Sequence, residues 1–121
     1  MSAKNARARA DRYYSLVVRS IGRCERCNRH LDPSELQCAH IIRRRYSRTR
    51  TMQGNAWALC GLCHLLVDTR TTEFVALVDR TIGRPRLEEL ERLAHDDSLA
   101  LPDWEDEAAF WLEMWRKVRA A

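Results

Sequence analysis

Two pairs of cysteines, Cys24-Glu25-Arg26-Cys27 and Cys60-Gly61-Leu62-Cys63, share one spacing, and two histidines accompany them. His64 directly follows Cys63, and His40 lies in Gln37-Cys38-Ala39-His40-Ile41-Ile42. Four thiolates at this spacing can close a tetrahedral zinc shell of the structural kind. An iron–sulfur cluster or a redox dithiol are the alternative uses of such pairs. The 32 residues between the pairs exceed the usual zinc-ribbon spacing, so a structural unit must be inserted between the two knuckles. In model peptides a structural zinc contributes about 10–16 kcal/mol, more than a small core supplies.

The remaining candidates are polar groups with more than one use. Alone, His40 reads as a core histidine bonded to a backbone carbonyl. His64 reads as a spare zinc ligand or a helix-start residue, and Asn55 as a turn. A histidine with a pKa of about 6.5 can also accept a proton near neutrality. Asp68 lies four residues beyond His64, on the same helical face, where the two could share a cation. Cys38 shares a strand face with His40 and is the weaker candidate for that part.

The order His40, Asn55, Cys60-x2-Cys63-His64 resembles the HNH (ββα-metal) endonucleases, and is most similar to the phage branch with a four-cysteine zinc site, such as the NinG/Rap recombination endonucleases. The matching residues are Cys24-x2-Cys27, Leu36-Gln37-Cys38-Ala39-His40-Ile41-Ile42, and Asn55-Ala56-Trp57-Ala58-Leu59-Cys60-Gly61-Leu62-Cys63-His64. They cover roughly residues 8–82. The resemblance implies that His40 is the general base activating water, that Asn55 braces the loop and orients that base, and that His64 ligates a catalytic Mg2+ or Mn2+. It assigns Cys24, Cys27, Cys60 and Cys63 to structural Zn2+. Many family members place a metal-ligating Asp or His directly before the general base. Here that residue is Ala39, so Asp68 is expected to be the second metal ligand.

Charge points to the same partner. Residues 1–50 carry a net +9 and residues 51–121 a net −5, within an overall +4. A basic half that also holds the ligand candidates suits a polyanion, most simply DNA. Arg43, Arg44, Arg45, Arg48 and Arg50 form one cluster, and their guanidinium forks suit phosphate contacts. No apolar run is long enough to cross a membrane, and the N-terminus lacks an apolar secretory core. With five cysteines, four of them in metal-like pairs, the expected setting is the cytoplasm of a bacterial or phage-infected cell.

These residues need elements to place them. The spacing predicts an amphipathic helix over 4–21, with Ala10, Tyr13 or Tyr14, Val17 and Ile21 inward and Arg7, Arg9 and Arg12 outward. A strand over 36–42, a basic connection over 43–55, a returning strand over 57–59 and a helix over 62–68 make a ββα unit. Helices over 72–82 and from Leu87 to Leu93 follow, the first stopped by Gly83. Residues 96–102 form a linker. Asp103 caps a last helix carrying Trp104, Ala108, Trp111, Trp115 and Val118 on one stripe. The expected fold is therefore α+β: a zinc-stapled HNH core over 1–95, then a linker and helix over 96–121 docking on the core or in a homodimer.

The function expected from this reading is metal-dependent hydrolysis of DNA phosphodiesters, with branched recombination intermediates as the substrate the resemblance suggests. The competing reading is a non-catalytic zinc module that binds nucleic acid. A weaker third is a protein-interaction module using the tryptophan stripe.

Overall fold

The computed structural model describes residues 3–121, with side chains from Asn5 onward; the reading of the extreme N-terminus at Met1 and Ser2 lies outside them. Five α-helices and one two-stranded antiparallel sheet make up the described residues, an α+β arrangement. Helix α1 spans Ala3–Arg19 and buries Ala6, Ala10 and Tyr14, the small residues allowing close approach. Tyr14, not Tyr13, is the inward tyrosine. Ile21 was expected on the buried stripe but is 45% exposed, because the helix ends at Arg19 and the chain turns away at Gly22 (φ +71°).

The first cysteine knuckle then folds back on itself. Asn28, in the left-handed region at φ +64°, returns its N–H to the Cys24 carbonyl. Glu25 docks this knuckle on the sheet twice: its N–H donates to the Ala58 carbonyl, and its carboxylate accepts from the Ala58 N–H.

Strand β1 (Gln37–His40) pairs with β2 (Ala56–Leu59), setting Cys38 opposite Ala58, Ala39 opposite Trp57 and His40 opposite Ala56. Ala39, Trp57, Ala58 and Leu59 face the core, while His40 and Cys38 are half-buried. The connection between the strands is longer than any hairpin turn, with a single 3-10 turn at Ser47–Thr49. Helix α2 (Gly61–Thr69) starts inside the second knuckle and buries Cys63 and Val67. Helix α3 (Thr71–Arg80) places Leu77 and Val78 in the same core. There Trp57 donates through Nε1 to Thr81 Oγ1 and meets Phe74 edge to face. Helix α4 (Arg84–Ala94) packs Leu90 and Ala94 on Ile42.

Helix α5 (Trp104–Ala120) begins as its cap predicts, with the Asp103 carboxylate accepting from the Asp106 N–H and three acids in the first turn. It packs along α1 and buries Ala108 and Trp111 there. Trp111 also meets Tyr14 edge to face. The stripe expected to dock does so on the chain's own N-terminal helix, leaving Trp104 and Trp115 half-buried and Val118 exposed. Among the described residues no helix is long and apolar enough to cross a membrane.

Candidate functional site

The two knuckles, far apart in sequence, meet in space. The Sγ atoms of Cys24, Cys27, Cys60 and Cys63 all lie within 4.8 Å of one another. Sulfurs on a tetrahedral ion with bonds of about 2.3 Å stand about 3.8 Å apart, so the cluster fits one metal ion. Three of the cysteines are buried and Cys27 is exposed. Burial works against ionisation of Cys24, but hydrogen bonds from the backbone of Cys27, Cys60 and Arg26 outweigh it and bring its pKa to about 6. That favours the thiolate at Cys24, while burial pushes the Cys63 thiol the other way, up to about 12. Arg26 donates to Cys63 Sγ at 3.3 Å and to the Glu73 carboxylate at 2.6 Å, joining the cluster to α3.

His40 and His64 face a separate place. With Asp11, Ser15, Cys38, Arg43, Arg44 and Asp68 they line a cleft of 390 Å3. A neighbouring hollow of 290 Å3 is also lined by His40, Arg43 and Asp68.

The ring of His40 is fixed by hydrogen bonding. Nε2 lies 2.8 Å from the Arg50 carbonyl oxygen. A carbonyl only accepts, so Nε2 carries the proton and Nδ1 keeps its lone pair. Burial lowers the pKa of His40 below the ordinary histidine value. The Arg44 and Arg50 charges push the same way, against the Arg50 carbonyl and Asp11. The imidazole is thus neutral at pH 7, the form a general base needs.

Asn55 explains why the Arg50 carbonyl is where it is. Its side chain is fully buried. Oδ1 accepts from the Ile42 N–H at 2.8 Å, and Nδ2 donates to the carbonyls of Ile42 (3.2 Å) and Thr49 (2.7 Å). These bonds tie the start of the inter-strand loop to its 3-10 turn, one residue before Arg50.

His64 and Asp68 meet as their four-residue separation on a helix predicts, with Nε2 3.3 Å from Asp68 Oδ2. Adjacent ligands on an octahedral cation with bonds of about 2.1 Å stand about 3 Å apart, so the pair fits two positions of one shell. The other ring nitrogen, Nδ1, donates to Gln37 Oε1 at 2.6 Å, which leaves Nε2 to face Asp68. Sequence reasoning missed Gln37 as a partner of His64. Cys38 lines the same cleft, and burial pushes its thiol up to about 12.

The arginine cluster divides. Arg43 and Arg44 are exposed on the cleft, and Arg45 is exposed against the Tyr46 ring. Arg48 donates to the Leu99 carbonyl and faces Asp97. Arg50 is held bidentately by Asp11, at 2.8 and 2.6 Å, with only 13% of its side chain exposed. The last two were expected on phosphate; in the structure their guanidinium groups are turned to partners within the chain. Among the outward arginines of α1, Arg9 pairs with Glu105, while Arg7 and Arg12 are exposed.

Comparison with protein-family models, with curated proteins and with solved structures found no match to the chain.

Proposed function

We propose that the protein is a metal-dependent DNA endonuclease of the HNH type, stapled by a structural zinc. The observation that carries this reading is one cleft combining a neutral histidine with its acceptor nitrogen fixed, a His–Asp pair at cation-sharing distance, and two exposed arginines. General-base chemistry on a polyanion needs those three components, and a module that only binds has no use for the first two. Zinc is the metal best suited to four cysteine sulfurs in a closed cluster. The His64 and Asp68 donors suit Mg2+ or Mn2+ in the cleft.

His40 Nδ1 takes a proton from a water molecule, whose oxygen attacks phosphorus as the bond to the leaving oxygen breaks. Asn55 and the Arg50 carbonyl hold that ring in one tautomer. His64, oriented by Gln37, and Asp68 hold the cation. A bound divalent cation supplies charge stabilisation for the transition state and the leaving oxygen. Arg43 and Arg44 hold the DNA backbone and read little sequence. Branched recombination intermediates are the substrate class that the likeness to NinG/Rap-type endonucleases favours.

The test is conversion of supercoiled plasmid to nicked circles by zinc-loaded protein with Mg2+, with Mn2+ and with no added divalent cation. Nicking with either cation and none without them is expected. Binding of the plasmid without nicking under any divalent cation would instead identify a non-catalytic nucleic-acid-binding module.

A further inference from the structure

The segment Arg50-Thr51-Met52 is gripped at each of its residues by helices outside the ββα unit. Asp11 of α1 holds the Arg50 guanidinium bidentately. Trp111 of α5 donates through Nε1 to the Thr51 carbonyl at 3.0 Å, and the Thr51 hydroxyl donates to Glu107 of α5. Tyr14 of α1 donates to the Met52 carbonyl at 2.8 Å. Burial raises the Tyr14 hydroxyl far above its ordinary pKa, so it remains a donor. The Tyr14 ring also lies 5.7 Å from that of His40. From the same segment comes the carbonyl that fixes His40.

We infer that Asp11 and Arg50 are positioning residues for the proposed general base, with α1 and α5 forming the clamp that sets its geometry. This rests on the proposed role of His40 and gives the C-terminal third of the chain a part in the site. The guanidinium of Arg50, besides its two bonds to Asp11, donates to the Arg44 carbonyl at 3.2 Å, closing the 44–50 segment on itself. Deleting the Asp11 charge leaves a largely buried cation without its counter-ion. The loop then shifts to solvate it, and the carbonyl facing His40 Nε2 shifts with it. A displacement of about 1 Å can cost about 100-fold in rate. Arg50 thereby acts through His40 and not as a phosphate clamp.

Two measurements on the zinc-loaded full chain test this. Nitrogen NMR of labelled histidine in the wild type reads which ring nitrogen of His40 carries the proton. The Nε2–H form is expected, with the Nδ1–H form gaining population in Asp11→Asn. Alongside it, kcat and DNA affinity are measured for Asp11→Asn, Arg50→Lys and Arg43→Ala. The first two should lose about 10- to 100-fold in kcat while binding DNA within about two-fold of wild type. Arg43→Ala should weaken binding and reduce the salt slope by about 1. The inference is overturned by a wild-type Nδ1–H tautomer, by wild-type kcat and tautomer in Asp11→Asn, or by an Arg50→Lys binding defect equal to that of Arg43→Ala. A wild type that never nicks DNA would sink the nuclease reading, while the NMR comparison would still decide whether Asp11 positions His40.

Discussion

Replacing Asn55 by alanine removes the brace of the inter-strand loop, and the structure sets the cost. Three hydrogen bonds disappear at a fully buried position. The Thr49 carbonyl keeps the Met52 N–H as a donor, so it is not orphaned. The N–H and C=O of Ile42 lose the Asn55 side chain and sit where water has little access, Ile42 being 8% exposed. Each buried group left unsatisfied costs about 1–3 kcal/mol, so the two together cost about 2–6 kcal/mol. Against a typical total of about 5–15 kcal/mol this is a large fraction. For a chain of this size, at about 4 °C per kcal/mol, it corresponds to a fall in Tm of about 8–24 °C. Urea and thermal unfolding with zinc in excess would measure it, since metal loss would otherwise add to the effect. Asn55→Asp should be at least as damaging at pH 7, because a carboxylate can accept from Ile42 but would face two carbonyls. A loss below about 1 kcal/mol for Asn55→Ala would show that the loop does not depend on this side chain, and the reasoning would fail.

Further expectations concern the metal cluster and pH. Cys60→Ser, or chelation of the wild type, should unfold the domain, seen as loss of the cooperative transition in circular dichroism, because the four sulfurs join two knuckles separated by 32 residues of sequence. A cooperatively folded Cys60→Ser protein would contradict this. For His40 the folded pKa lies below the unfolded value, so the unfolded chain takes up the proton first. Its contribution to stability is therefore present above pH of about 6.5 and is lost as pH falls through the lowered folded value. The wild type should lose more stability than His40→Asn between pH 7.5 and 5.5, measured by urea midpoints. Nicking should rise with pH about a midpoint below the ordinary histidine pKa.

The four-cysteine cluster was legible in the sequence because three-residue spacing fixes each knuckle and two matching pairs favour one shared site. The His64–Asp68 pair was legible for the same reason, since helix periodicity places residues four apart side by side. Asp11, Gln37 and Tyr14 were not legible as site residues. Asp11 reads as an ordinary helix carboxylate, and only the folded chain brings it to Arg50, 39 residues away. Partners that are likewise remote in sequence made Arg50 and Arg48 look like free cations, although an arginine cluster must also neutralise its own acids. Ile21 misled because periodicity does not show where a helix stops; the turn at Gly22 does. The tryptophan stripe reads as a docking face, but a stripe does not name its partner: Ala108 and Trp111 are buried where α5 packs along α1, while Val118 is exposed.

Whether His40 is the base of a metal-dependent nuclease is decided by the single-turnover nicking rate of His40→Ala beside the wild type. Both proteins must carry equal zinc and show matching circular dichroism and DNA affinity. With His40 as the base, the wild type nicks in a cation-dependent way and the variant is at least about 100-fold slower. Equal rates in the two proteins would contradict it.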